Sequence, residues 1–225
     1  MALIPPVTVD GLFAGRVGLL PGESRGSAIA KQPLTGTVTI GPEGVGGDEH
    51  ADPAVHGGAE KAVHLFPAEH HTTLARAFPE GRHLVPGGLG ENLSTRGLTE
   101  ETVCIGDVFQ LGSVRLQVSQ PRTPCWKIDA RCGVEGVAAH VARHGISGWY
   151  FRVLAPGQCA AGDALIHLER PAGTVSLARF LSTIATHRPA LAALERLADA
   201  PGLTPDWARR LRERIARLID LGDTA

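Results

Sequence analysis

A mainly β domain with some α, followed by a small C-terminal three-helix bundle, is the fold class this chain predicts. Three observations carry it. The 225 residues include 28 Gly and 16 Pro, set between short apolar runs, which is the punctuation of many turns and short strands. Val114, Leu116 and Val118 alternate with polar residues, the period-two signature of a half-buried strand. From Val175 onward apolar residues recur at helical spacing instead. A chain of this length suits one substantial domain with a small appendage. The boundary falls near Pro171, giving residues 1–171 and 172–225.

Taken in order, LFAGRV, SAIAK and TGTVTI (residues 12–40) read as strands bounded by glycines. HLFP (64–67) reads as another strand, and AEHHTTLARAF (68–78) as a helix with Leu74, Ala75 and Phe78 on one face. GGLGENL reads as a loop. In TVCIGDVFQLGSVRLQVSQ two apolar runs flank a Gly-Asp turn. VEGVAAHVARHG sets Val134, Val137, Ala138 and Val141 on one helical face and stops at Gly145. WYFRVLAPGQ and DALIHLERP add two strands. SLARFLSTIATH, PALAALERLADAPG and TPDWARRLRERIARLIDLG are the three helices, the last with Thr204 as N-cap, Pro205 at N1 and a stripe of Trp207, Leu211, Ile215 and Leu218. Three such helices are marginal alone, so they are expected to dock on the β domain or on a second subunit, a possible homodimer.

The formal net charge is −1, which excludes a polybasic binder of nucleic acid or membrane surface. The N-terminus lacks a basic region followed by an apolar one, and no window reaches the roughly 18 apolar residues of a membrane span, so the cytoplasm is the expected location. Arg209, Arg210, Arg212, Arg214 and Arg217 in the last helix read as a solvated face. Cys104, Cys125, Cys132 and Cys159 form no CxxC pair and are expected as reduced thiols.

Among 22 basic residues only Lys31, Lys61 and Lys127 are lysine, and each lies in a motif-like segment. GVGGDEHADPAVHGGAEKAV (44–63) admits two readings. Asp48, His50, Asp52 and His56 could ligate a divalent metal. Alternatively, Gly57 and Gly58 let the backbone approach a ligand while amides and Lys61 cradle an anionic group. GLGENLSTRGLTEETVCIGD (88–107) gathers Glu91, Asn92, Ser94, Thr95 and Arg96, donors and acceptors suited to a polar heterocycle plus phosphate. In SQPRTPCWKI (119–128) Cys125 sits past a strand end with Arg122 and Lys127 beside it and Arg131 beyond. Cationic neighbours favour the thiolate, the form that acts as nucleophile or soft metal ligand. Cys104 and Cys159 lack such neighbours and read as packing residues; Cys132, beside Arg131, could be a resolving thiol.

SAIAKQP, GVGGDEHADPAVHGGAEKAV, GLGENLSTRGLTEETVCIGDVFQLG, VSQPRTPCWKI and GWYFRVLAPGQCAAGD, in this order over residues 27–163, resemble the MOSC domain. That domain is found at the C-terminus of molybdenum-cofactor sulfurases and in the amidoxime-reducing components. With its helical tail the chain resembles the bacterial hydroxylaminopurine-resistance branch. The resemblance implies a MOSC-type β-barrel and a molybdenum cofactor (molybdopterin) site in which Cys125 gives a thiolate to molybdenum or carries sulfur. Lys31, His56, Gly57, Gly58, Lys61, Glu91, Asn92, Arg122 and Lys127 are the implied cofactor-binding residues. Neither a pyridoxal phosphate nor an iron–sulfur site is implied, so an external flavin or iron–sulfur reductase would supply electrons. The implied activity is reduction of N-hydroxylated compounds such as hydroxylamino-purines. A non-catalytic sulfur or cofactor carrier is the alternative from another class. A zinc or manganese hydrolase using Asp48, His50 and His56 is the reading from residue chemistry alone.

Overall fold

A computed structural model describes residues 4–52 and 57–223, apart from the side chains of 221–223. Seven strands close into a mixed barrel: β1 (Val7–Ala14), β7 (Val63–Pro67), β8 (Leu93–Thr95), β9 (Val108–Leu111), β10 (Val114–Pro121), β11 (Trp149–Ala155) and β13 (Ala164–Glu169). They run in the order β13-β9-β10-β11-β7-β8-β1, and β1 pairs back onto β13 through Val7 opposite Leu165. Only β7 and β8 are parallel; the other barrel pairs are antiparallel. Closure removes the unpaired edges that an open sheet of this size would expose.

The remaining strands are short: β2 (Gly18–Leu19) pairs with β3 (Gly26–Ser27), β4 (Gln32–Pro33) lies on the end of β1, and β5 (Val38–Gly41) joins β6 (Gly44–Val45) and β12 (Gly157–Cys159). The helices are α1 (Ala68–Ala77), α2 (Lys127–Cys132), α3 (Val137–His144), α4 (Leu177–Ala185), α5 (Leu191–Ala198) and α6 (Pro205–Asp223). None of them is long and apolar enough to cross a membrane.

Two apolar clusters organise the molecule. The barrel interior holds Val9, Leu65, Phe109, Leu116, Val118, Trp149 and Phe151, and the same cluster continues through Val175, Leu177, Phe180, Leu194, Leu197 and Leu211 of the C-terminal helices. The bundle thus docks on the barrel and shares its core; each of Leu177 and Phe180, fully buried, contributes about 1.5–3 kcal/mol to that attachment. The second cluster lies outside the barrel wall, where Leu20, Ile29, Phe66, Leu84, Leu89, Ile128 and Cys132 join α1, α2 and α3 to the loops at one barrel end. HLFP is buried on both faces because Leu65 enters the first cluster and Phe66 the second.

Three local expectations change. SAIAK is irregular rather than a strand: Ile29 packs into the second cluster, and only Ser27 belongs to a strand, the short β3. Part of the loop-like segment after GGLGE is barrel strand β8; its three residues are too few to show alternation. A short helix, α2, follows Cys125 directly. Gly145 stops α3 at φ 65° as its sequence implied, and Thr204 Oγ1 accepts from the Trp207 amide at 3.4 Å at the start of α6.

Candidate functional site

The strand β10 carries the chain from the barrel core to the cleft. Its end is fixed by Ser119, whose hydroxyl donates to the Glu60 and Tyr150 carbonyls at 2.6 and 3.1 Å. The Arg122 amide then donates to the Gly148 carbonyl at 3.1 Å. Pro121 and Pro124 stiffen the following loop, and the Ile128 amide bonds the Cys125 carbonyl at 3.0 Å to start α2. Cys125 is thereby held, partly exposed, on the wall of a cleft with roughly 580 Å³ of empty space, mouth included. All three lysines of the chain, Lys31, Lys61 and Lys127, line it together with Arg122, Asn92, His64 and Tyr150.

Each cation reaches the cleft differently. Arg122 is buried, 6% exposed; its Nη2 donates to the Leu89 carbonyl at 3.3 Å while its Nη1 has no hydrogen-bond partner among the described residues. Lys61 ends a 3-10 turn, Ala59–Lys61, whose preceding Gly58 has φ 90°, a conformation glycine adopts freely. The Lys61 amide closes that turn on the Gly58 carbonyl at 2.8 Å. Burial lowers the Lys61 pKa, and Asp206 and Arg210 of α6 act on it from across the rim. Lys127 opens α2. Lys31 is almost wholly buried and ion-paired with Asp48; burial lowers its pKa despite that partner.

Asp48 is the hub of the opposite wall. Besides Lys31 it accepts from the Gly15 amide and from Asn92 Nδ2, both at 2.8 Å. Asn92 also donates to the Phe13 carbonyl at 3.1 Å and accepts from the His64 amide at 3.0 Å. Lys31 and Asn92 therefore face the cleft while being held by internal bonds. Glu91 does not line it. This fully buried carboxylate accepts from His71 Nε2 at 2.7 Å and from the Gly87 and Leu89 amides at 2.6 and 3.1 Å. Burial pushes its pKa up, but the His71 hydrogen bond and charge outweigh that and hold it below the usual range. Its work is to fix the glycine loop whose Leu89 and Gly90 form the cleft edge.

His56 lies outside the described residues. Gly57 and Gly58 sit behind Lys61 rather than on the cleft lining. Ser94 and Thr95 are buried in β8, and Arg96 reaches outward to Asp10 at 3.6 Å. Among the described residues no three His, Cys, Asp or Glu side chains gather as metal ligands, and Asp48 is already committed to Lys31 and Asn92. Cys132 is fully buried and burial pushes its thiol up to about 11, the behaviour of a packing residue. Cys159 is the same, also at about 11.

Two residues escaped the sequence reading. Tyr150, the chain's one tyrosine, presents its hydroxyl beside Arg122 and within electrostatic reach of Cys125, and burial raises its pKa. His64 packs against Tyr150 with ring centres 5.1 Å apart; burial and then Arg122 depress its pKa to about 3, and its Nε2 has no hydrogen-bond partner among the described residues. Both stand in runs that read simply as strands. Tyr150's being the sole tyrosine was the available signal.

The site combines one accessible thiol, a buried guanidinium with an unused N–H, two further cations and a glycine edge. Residues 52–166, which carry Cys125, Lys61, Arg122 and Tyr150, match the family model described as MOSC domain. The chain belongs to the MOSC family. It is 38% identical over 205 residues to Protein YiiM of Escherichia coli (strain K12), covering 90% of each chain. It is 43% identical over 162 residues to a protein named Reductase from Gibberella moniliformis, covering 70% of this chain and 28% of that one. The crystal structure of YiiM from Geobacillus stearothermophilus superposes with a TM-score of 0.79 at 29% identity, covering 93% of this chain and all of that one. The MOSC barrel expected from the resemblance is the one observed, and the C-terminal helices complete it.

Proposed function

We propose that this MOSC protein binds a molybdenum cofactor in the cleft and reduces N-hydroxylated compounds to the corresponding amines with electrons from a partner reductase. The observation that carries the reading is the convergence of Cys125 with all three lysines and with a buried Arg122 whose Nη1 is unused. A buried donor without an acceptor costs about 1–3 kcal/mol, and an anionic ligand removes that cost. The donor set fits the cofactor: Cys125 is a soft ligand for the metal, and Arg122, Lys61 and Lys127 suit its phosphate. When bound, the cofactor supplies two-electron reduction of the N–O bond.

The chain's own residues bind, orient and shield. Cys125 would hold the metal end. Asp48 and Asn92 keep the far wall rigid, and Glu91 keeps the glycine edge at a fixed height. Tyr150, pressed on His64, closes the floor beside Arg122. The overall change is R–NHOH plus two electrons and two protons giving R–NH2 and water. A relative named Reductase, sharing 43% identity over 162 residues, supports the redox character of the reading.

The test is turnover. Protein produced in a cofactor-making host, given a reduced viologen dye, is expected to convert a hydroxylamino-purine to the aminopurine, and Cys125→Ser to abolish conversion. No turnover by cofactor-loaded wild type, or equal turnover by Cys125→Ser, would sink it. A mass increase of one sulfur atom confined to Cys125, without turnover, would establish the carrier instead.

A further inference from the structure

The arginines of α6 are the obvious place for an acidic partner to bind, yet most are occupied within the molecule. Arg209 bonds Asp206 and Glu213 at 2.5 and 2.6 Å, Arg210 reaches Asp206 at 2.9 Å, and Arg212 reaches Asp199 at 3.0 Å. Arg214 donates to the Ile184 and His187 carbonyls at 2.9 and 3.2 Å, capping α4.

The cations around α2 are different. Among the described residues, Arg82, Lys127 and Arg131 have no ion-pair partner. Lys127 and Arg131 are four residues apart on α2 and share a face. The Arg82 amide bonds the Cys132 carbonyl at 2.8 Å, and both arginines act on His83, so the three charges crowd one surface. The acid of this helix, Asp129, is turned inward, accepting from the Gly136 and Ala138 amides at 3.0 and 2.7 Å. The same segments carry two exposed apolar side chains, Trp126 at 42% at the start of α2 and Val85 at 58% in the loop that carries Arg82. The Val85 loop is seated on α2, because its neighbours Leu84 and Leu89 pack with Ile128 and Cys132. Trp126 is bonded directly to Cys125 in the chain, and Lys127 lines the same cleft.

We infer that the face formed by Trp126, Val85, Arg82 and Arg131 docks a small electron-carrier protein that presents acidic residues around an apolar centre. The inference rests on the proposed reductase activity. Exposed apolar side chains beside unpaired positive charge match such a carrier: unpaired cations steer a negative partner and set its orientation, and Trp and Arg are enriched where proteins meet. Electron-transfer encounters use small, transient interfaces, below about 1,200 Å², the scale of a few side chains at a cleft mouth. The position brings the carrier's redox centre to the cysteine end of the cleft, where the electrons are needed.

The experiment uses cofactor-loaded protein, a hydroxylamino-purine and two reductants: reduced methyl viologen, which needs no docking face, and an acidic flavodoxin kept reduced by NADPH and its reductase. Arg82→Glu/Arg131→Glu changes two residues outside the cleft lining. It is expected to lower flavodoxin-driven kcat/KM roughly 10–100-fold at low salt and to leave the viologen-driven rate within twofold. Arg82→Gln/Arg131→Gln is expected to fall between, and rising ionic strength to slow the wild type with flavodoxin alone. Unchanged flavodoxin kinetics in the charge reversal, equal loss with both reductants, salt-insensitive rates, or no flavodoxin-driven turnover beside active viologen turnover would overturn the docking face. Absence of viologen-driven turnover in wild type would instead overturn the reductase reading, and the docking face with it.

Discussion

Asp48→Ala removes the hub of the cleft wall and leaves Lys31, whose side chain is 5% exposed, as a buried charge without its counter-ion. Breaking a buried pair from one side costs about 3–5 kcal/mol. The Gly15 amide and Asn92 Nδ2 lose their 2.8 Å acceptor as well, at about 1–3 kcal/mol per buried donor, not fully additive between neighbours. A total of about 4–6 kcal/mol follows, a large share of the roughly 5–15 kcal/mol that stabilises an ordinary domain. Lys31→Met in the same chain removes the orphaned charge and leaves an apolar side chain in its buried place, so the double variant is expected to regain about 2–3 kcal/mol over Asp48→Ala alone. Urea unfolding of wild type, both singles and the double measures this, with stability read from midpoints at common slope. A loss below about 1 kcal/mol for Asp48→Ala, or a double variant less stable than that single, would refute the hub.

Three further outcomes follow from other parts of the structure. Arg122→Leu removes a buried guanidinium with an unused Nη1, so the apoprotein is expected to unfold no earlier, gaining up to about 2 kcal/mol, while cofactor loading falls; thermal melts and molybdenum analysis read the two effects separately. Arg214→Met uncaps α4, losing donors to Ile184 and His187, and is expected to cost about 1.5–3 kcal/mol without changing loading. His64 has its pKa depressed to about 3 against 6.5 in the unfolded chain, so between those values the unfolded state binds a proton that the folded state does not. Stability therefore falls as pH drops through that window, by on the order of 4–5 kcal/mol in full, and His64→Phe should give a shallower acid limb; parallel limbs would contradict this.

Local pattern was enough for the barrel strands with two-residue alternation and for the C-terminal helices, because there the period reports which face is buried. It singled out Cys125 as well, which lies partly exposed on the cleft wall, although the local cations alone suited a packing cysteine equally and the run of matching segments set it apart. The cleft as a whole was only partly legible. Its walls come from six separated segments, and nothing local says that Lys31, Lys61 and Lys127 converge. Nor can spacing say which way a polar residue in a glycine loop turns. Glu91 and Asn92 are neighbours with similar chemistry, yet Asn92 faces the cleft and Glu91 faces His71 behind it. His64 and Tyr150 were hidden for related reasons: in β7, buried on both sides, a polar residue reads as an interruption of an apolar run, and in β11 Tyr150 falls between the buried Trp149 and Phe151 as one more large strand residue. Conversely, the α6 arginines looked available in sequence because their partners, Asp206, Glu213, Asp199 and the α4 carbonyls, are set by helix pitch and tertiary docking.

Metal content tests the central claim most directly. Wild type and Cys125→Ser, purified in parallel from a cofactor-producing host, would be analysed for molybdenum by mass spectrometry and for pterin by its fluorescent oxidation product. The account predicts molybdenum and pterin approaching one per chain in wild type and loss of the metal in Cys125→Ser with the fold intact by circular dichroism. Wild type free of molybdenum, or equal molybdenum in both proteins, would contradict it.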